Sequence, residues 1–233
     1  METVLHVQDV TTSLGKKPFI SDISFTLQQG EVLALVGHNG AGKSTLMKTI
    51  MGTLQKDKGK IIVNETYDQD DELVAYKRCL AYLPEEPMLF TELTVMQHFQ
   101  LYALSYEMNE EEFNEKIERY IKGFQLSTKL DAYPEELSKG MRQKVQAICS
   151  LLPEVPILLI DEPFIGLDIY AIEYLLQLIT EKVKKRTSIL LTTHQLDQVR
   201  SLANRFLLLE NGHIKATGDI ESFETITRGV IDD

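Results

Sequence analysis

The segment GHNGAGKST, residues 37–45, brings together three glycines, a lysine and two hydroxyl side chains. It fits the pattern G-x-x-x-x-G-K-[ST], follows the apolar run EVLALV and precedes a stretch with helical character. Glycines allow backbone N–H groups to surround phosphate oxygens without interference from a Cβ atom. The positive end of the following helix adds to the attraction for an anion. The segment therefore predicts a loop that binds the phosphates of a nucleotide.

The pattern also assigns roles within this loop. Lys43 is expected to reach the β and γ phosphates and to take part in catalysis, and Ser44 is expected to bind Mg²⁺. His38 occupies a variable slot of the pattern and is given no chemistry of its own. The motif predicts that a nucleotide with β and γ phosphates binds here with Mg²⁺; the resemblance described below implies that this nucleotide is ATP. The predicted ATP-binding residues are Gly37, His38, Asn39, Gly40, Ala41, Gly42, Lys43, Ser44 and Thr45.

Two later strands end in side chains suited to hydrolysis. Asp161 and Glu162 follow the apolar run ILLI, and His194 ends the run TSILLTTH. In a parallel sheet the carboxyl ends of the strands meet at the edge where ligands bind. Asp161 is expected to hold Mg²⁺, and Glu162 to polarise a water for attack on the γ-phosphate. His194 is expected to donate a hydrogen bond to that phosphate.

The elements that must position these residues alternate between strand and helix. Apolar strands at EVLALV, VPILLID and TSILLTT, separated by helices, predict an α/β fold with a mostly parallel, doubly wound sheet. The first 30 residues alternate as β-strands. A first helix is predicted to end at Gly52, another to cover Leu196 to Ala203, and a hairpin to turn at Asn211-Gly212.

Between the two β/α halves, the period of the apolar residues changes to that of helices. Thr94 with Gln97, and Asn109 with Glu112, form two capping-box patterns that precede amphipathic stretches. Residues 86–150 are therefore predicted to form a helical insert.

Composition restricts the function further. The 233 residues carry a formal net charge of −11, which disfavours nucleic acid as a partner. Cys79 and Cys149 lie far apart outside any CxxC pattern, so no zinc site or disulfide framework is indicated. No signal peptide and no apolar run long enough to span a bilayer is found. Any role at a membrane would thus require a membrane-spanning partner.

Several phrases together resemble a known family. GHNGAGKST, YLPEEPMLFTELTV, LSKGM, LLIDEPFIGLD and LLTTHQLDQV have the order and spacing of the ATP-binding subunit of ABC transporters, along essentially the whole chain. The resemblance is strongest to exporter ATPases that pair with an ABC-2-type membrane subunit, including the Ecs-type. It implies a P-loop NTPase fold in a single domain, with residues 1–85 and 151–233 as the β/α core plus a β subdomain, and residues 86–150 as the helical subdomain.

The resemblance also implies partners and further site residues. Two chains would bury two ATP molecules head to tail, with Ser138, Gly140 and Asp168 contacting the nucleotide held by the other chain. The helical insert would bind an ABC-2-type membrane-spanning subunit, which implies a cytoplasmic, peripheral location on the inner face of the cell membrane. The alternative is a soluble ABC ATPase that acts on a ribosome, nucleic acid or a cofactor-assembly complex.

Four positions depart from the family pattern, and two of them lie in one motif. Glu85 replaces the glutamine of the Q-loop, and its carboxylate is expected to meet Mg²⁺, a cation that prefers oxygen ligands. The signature LSGGQ becomes LSKGM, which keeps Ser138 and Gly140. The aromatic residue that stacks on adenine is replaced by Leu14, so either Leu14 or Phe19 is expected to contact the base.

Overall fold

The computed structural model describes residues 2–15, 17–193 and 200–225. Within these ranges lie ten β-strands, six α-helices and two short 3₁₀ turns. The strands are β1 (Thr3–Leu14), β2 (Lys17–Gln28), β3 (Val32–Val36), β4 (Lys58–Val63), β5 (Tyr67–Asp68), β6 (Leu80–Leu83), β7 (Ile157–Asp161), β8 (Ser188–Thr192), β9 (Arg205–Glu210) and β10 (His213–Asp219). The helices are α1 (Lys43–Met51), α2 (Leu73–Arg78), α3 (Val95–Ser105), α4 (Glu110–Gly123), α5 (Lys139–Leu151) and α6 (Ile169–Lys184).

The strands form two sheets. A six-stranded sheet has the order β10-β9-β3-β8-β7-β6, in which β9, β3, β8, β7 and β6 run parallel and β10 is antiparallel to β9. A four-stranded sheet has the order β2-β1-β4-β5 and is antiparallel. The predicted fold class, a mostly parallel sheet with an N-terminal antiparallel β subdomain, is confirmed.

The helix ends follow the predicted chemistry. Gly52 closes α1 in a left-handed conformation, and its N–H donates to carbonyls of the last turn. Thr94 and Gln97 form the predicted capping box of α3, and Asn109 caps α4 by accepting from the N–H of Glu112. The predicted helix from Leu196 to Ala203 lies largely outside the described residues.

The β9–β10 hairpin places one end of the six-stranded sheet against the phosphate loop. Asn211 and Gly212 both have positive φ, of 49° and 79°, which confirms the predicted turn. The Gly212 N–H donates to the carbonyl of Ala41 at 3.0 Å, and its carbonyl accepts from the N–H of Ser21 on β2 at 2.9 Å. The turn therefore connects the two sheets beside residues 37–45.

Two apolar clusters stabilise the arrangement. One cluster lies between the six-stranded sheet and α3 to α6, and the other between the two sheets and α1. Strands β7 and β8 are buried along their whole length, which fixes the position of the residues at their carboxyl ends. Among the residues that the structure describes, no helix is both long and apolar enough to cross a membrane.

Candidate ATP site

The phosphate loop connects the end of β3 to the start of α1, in a backbone shape that requires glycine. Gly42 has φ +110°, and a Cβ there would lie 2.6 Å from Ile20 Cγ2. At Gly37 a Cβ would lie 2.3 Å from the carbonyl oxygen of Leu209. Both approaches are too close for any side chain, so the loop lies tight against β2 and β9. Backbone N–H groups and the N-terminus of the nine-residue helix α1 thus lie together.

Lys43 is the cation of this loop. Its ammonium group donates to the carbonyls of Gly37 at 2.8 Å and His38 at 3.3 Å. Burial lowers the pKa of Lys43, while the negative charges of Glu162, Asp161 and Glu85 act in the opposite direction. The structure therefore places Lys43 within the field of all three carboxylates that the sequence assigned to the site.

The carboxylates Asp161 and Glu162 lie at the carboxyl end of β7, as predicted. Thr192 is the register partner of Asp161 on β8, and its hydroxyl donates to Asp161 Oδ1 at 2.6 Å. Tyr82 on β6 donates to Asp161 Oδ2 at 3.3 Å. The Glu162 N–H donates to Thr192 Oγ1 at 3.0 Å and to its carbonyl at 3.2 Å. Sequence reasoning missed Tyr82 and Thr192, because their relevance depends on strand pairing.

A cleft of about 420 Å³ lies above the phosphate loop. Glu85, from the segment after β6, and Glu162, directly after β7, both line this cleft. Phe19 contributes an aromatic side chain to the lining, whereas Leu14 is not among the lining residues. Backbone donors with an ammonium group fit phosphates, and hydroxyl with carboxylate oxygens fit Mg²⁺. The residues present therefore fit ATP and Mg²⁺. The cleft is lined by Phe19, Asn39, Gly40, Gly42, Lys43, Ser44, Thr45, Glu85, Glu162 and Ile165.

The structure places Ser138, Gly140 and Asp168 in a second group, outside the lining of the cleft. Ser138 and Asp168 are exposed and cap α5 and α6, where they accept from the backbone N–H groups of Met141 and Ala171. A Cβ at Gly140 would lie 2.6 Å from the carbonyl oxygen of Gly166, so the first turn of α5 packs closely against the segment that leads into α6.

An ion pair extends this second group. Lys144 lies 2.6 Å from Asp168, and its hydrogen bond lowers the pKa of that carboxyl. Asp168 therefore stays ionised while it caps α6. His194 lies outside the described residues, so its predicted role stays a prediction.

The site geometry agrees with comparisons to known proteins. The family described as ABC transporter matches residues 20–165. This chain belongs to the ABC transporter family. It is an ATP-binding and ATP-hydrolysing subunit, and the resemblance seen in the sequence motifs is confirmed.

Relatives of this ABC transporter ATPase are found among transporter subunits. The chain is 37% identical to the ABC-type transporter ATP-binding protein EcsA of Bacillus subtilis (strain 168), over 94% of this chain and 88% of the relative. It is 28% identical to the SkfA peptide export ATP-binding protein SkfE of the same organism, over 95% of this chain and 91% of the relative.

Solved structures agree in fold. A structure described as the ATP-binding subunit of an ABC transporter is 37% identical, with a TM-score of 0.91 over 97% of this chain and 93% of that chain. An ATP-binding cassette solved as a dimer in a post-hydrolysis state with ADP and Pi is 21% identical, with a TM-score of 0.79 over 93% of this chain and 98% of that chain. The second likeness is one of fold alone.

Proposed function

We propose that this ABC transporter ATPase powers an exporter by closing and opening an ATP-bound pair of chains. The observation that carries the proposal is the separation of the site residues into two groups. Lys43, Glu85 and Glu162 surround one cleft, whereas Ser138 and Asp168 are exposed and do not line it. A second chain that presents Ser138 and Gly140 to this cleft would complete the site, since the N-terminus of a helix attracts phosphate.

The proposed chemistry assigns tasks to residues in the cleft and beside it. The loop N–H groups and Lys43 would hold the phosphates. Ser44 and Glu85, which line the cleft, would hold Mg²⁺ together with Asp161, which lies beside it at the end of β7. When bound, Mg²⁺ supplies positive charge that offsets the charge of the phosphate oxygens. Glu162 orients the attacking water and takes its proton, as a general base does.

Two further contacts with the nucleotide are part of the proposal. His194, from the resemblance, would donate to a γ-phosphate oxygen. Phe19 would contact adenine, because it lines the cleft and is 37% exposed, whereas Leu14 does not line it.

The proposed partner is an ABC-2-type membrane-spanning subunit that binds the helical insert. Large apolar side chains are exposed there, with Met88, Phe90 and Leu104 at 69%, 56% and 77%. The names of the relatives EcsA and SkfE, one of which is a peptide export protein, support a transport role over a soluble ATPase. The chain would then lie at the inner face of the cell membrane. The division into core and helical subdomain belongs to the same proposal.

Co-purification from gently solubilised membranes tests the partner. The parent chain is expected to retain a membrane-spanning protein of the ABC-2 type, identified by mass spectrometry. Leu104→Asp is expected to lose that protein while it still binds ATP, because a charge replaces an exposed apolar contact. Glu111→Lys, on the exposed face of α4, serves as the control. If Leu104→Asp recovers as much of the partner as the parent does, the proposal that the exposed apolar side chains of the helical insert bind the partner is wrong.

A further inference from the structure

Hydroxyl groups from both neighbouring strands hold the Asp161 carboxylate. Strand β7 lies between β8 and β6, and each neighbour contributes one donor. Thr192 donates to Oδ1 at 2.6 Å and Tyr82 to Oδ2 at 3.3 Å. Asp161 is 1% exposed and Thr192 is fully buried. Each oxygen of the carboxylate thus accepts a hydrogen bond, and rotation of the carboxylate would break at least one of the two.

The same Thr192 hydroxyl also holds the backbone of Glu162. Glu162 has φ +47°, in the left-handed region that side chains other than glycine adopt at a cost. Its N–H donates to Thr192 Oγ1 at 3.0 Å. One buried hydroxyl therefore sets both the side chain of Asp161 and the direction in which the chain presents Glu162.

Neutral donors suit a carboxylate that must bind a cation. An ionised carboxylate has about four lone-pair positions, so two hydroxyl donors leave positions open for a metal ion. A lysine or arginine at the same place would neutralise the charge that attracts the metal. Tyr82 and Thr192 order the carboxylate without this loss.

We infer that Thr192 and Tyr82 are positioning residues that set the affinity of this chain for the divalent cation bound with ATP, and that Thr192 also orients Glu162. The inference rests on the proposed roles of Asp161 and Glu162. It assigns a function to two residues that are not among those lining the cleft and that act through the acidic pair.

Manganese binding in the presence of a non-hydrolysable ATP analogue tests the inference, with Mn²⁺ detected by electron paramagnetic resonance. Thr192→Val keeps the shape of the side chain and removes the hydroxyl, and it is expected to weaken Mn²⁺ binding by about tenfold. Tyr82→Phe removes the longer bond and is expected to weaken it by about threefold. Thr192→Ser restores the hydroxyl and is expected to bind Mn²⁺ as the parent does.

Two controls separate positioning from general damage. Thr12→Val removes a buried hydroxyl from the four-stranded sheet, where Thr12 bonds with Thr49, and is expected to leave Mn²⁺ binding unchanged. Affinity for the analogue without metal is expected to be unchanged in every variant. At saturating Mg²⁺, Tyr82→Phe is expected to recover the parental kcat. Thr192→Val is expected to stay slow, because the Glu162 N–H then keeps only its 3.2 Å bond to the Thr192 carbonyl.

The outcome that overturns the inference differs from the one that overturns the proposed function. If Asp161→Asn loses Mn²⁺ while Thr192→Val and Tyr82→Phe bind it like the parent, the inference is wrong and the role of Asp161 stands. If Asp161→Asn itself binds Mn²⁺ like the parent, the proposed role of Asp161 fails. Tyr82→Phe, on a partly exposed side chain, carries the test if Thr192→Val does not fold.

Discussion

The two groups of site residues differ in how they are joined to the rest of the chain. In the first group, the phosphate loop and the acidic pair, Gly42 lies against Ile20, and Asp161 is held by side chains of two other strands. In the second group, Ser138 and Asp168 are exposed, and each caps the helix that it begins. The first group is built into the core of the fold, whereas the second is displayed on its surface.

Because of this contrast, substitutions in the two groups are expected to have different consequences. A change in the first group alters buried contacts, so it affects chemistry, metal affinity or folding within one chain. A change at Ser138 or Asp168 in the second group costs little stability, because both are exposed, surface substitutions away from special features rarely exceed about 0.5 kcal/mol and a lost cap costs about 1 kcal/mol. Its main consequence is expected at the contact between two chains.

The largest effect is expected from Glu162→Gln in the first group. Loss of the general base is expected to lower kcat by about 10²- to 10⁴-fold and to leave ATP binding intact. The variant is then expected to accumulate as an ATP-bound dimer on gel filtration with ATP and Mg²⁺. Glu111→Gln, on the exposed face of α4, is the matched control. A parental rate of hydrolysis in Glu162→Gln would remove Glu162 from the mechanism.

Next in size is the expected effect of Ser138→Arg in the second group. The bulky cation is expected to prevent the second chain from approaching, so that ATPase activity is lost while a single chain binds ATP with parental affinity. Gel filtration in the Glu162→Gln background measures the dimer. Ser105→Arg, at an exposed serine of α3, controls for added charge. If the parent keeps the same specific activity as it is diluted, a single chain is sufficient for hydrolysis and the second chain is not required.

Gly42→Ala tests how firmly the first group is joined to the core. The new Cβ would contact Ile20 too closely, and the alanine would have to keep a positive φ. We therefore expect a loss of about 1–3 kcal/mol in the free energy of unfolding, measured with urea. Gly40→Ala is the matched control, because Gly40 has φ +83° but no described heavy atom within 4 Å of its Cβ position. Equal losses in the two variants would show that backbone conformation alone, and not packing, makes glycine necessary.

The smallest effect is expected where the two groups meet. Lys139, beside Ser138, forms an ion pair at 2.9 Å with Glu86, the neighbour of Glu85, and both side chains are at least half exposed. A double-mutant cycle with Lys139→Ala and Glu86→Ala is expected to give a coupling energy below about 1 kcal/mol. A larger coupling would mean that the groups are linked within one chain, and it would weaken the contrast.

The sequence predicted the parts of the fold that depend on local pattern. Gly42 and Lys43 belong to a contiguous motif, Thr94 and Gln97 to a capping box, and Asn211 to a turn, so short spacing sufficed for each. The short elements β5 and α2 went unpredicted, because two to six residues carry too little periodicity.

The parts of the site that depend on strand pairing were not predictable. Thr192 lies 31 residues from Asp161, and Tyr82 lies 79 residues away, so only the sheet order shows that they meet. The choice between Leu14 and Phe19 likewise depended on which side chain reaches the cleft. Tyr82 and Thr192 reach Asp161 because β6 and β8 lie on either side of β7, and local patterns do not reveal which distant strands become neighbours.

Mixing two impaired variants tests the shared site most directly. Lys43→Ala damages the first group, and Ser138→Ala damages the second by removing the hydroxyl without adding bulk that would keep the chains apart, so a dimer of either variant alone has no intact site. In a mixed dimer, the Lys43→Ala chain supplies a sound second group to the sound first group of the Ser138→Ala chain. We therefore expect ATPase activity to return on mixing and to follow the amount of mixed dimer. A mixture as inactive as each variant alone, beside an active parent, would contradict a site built from two chains.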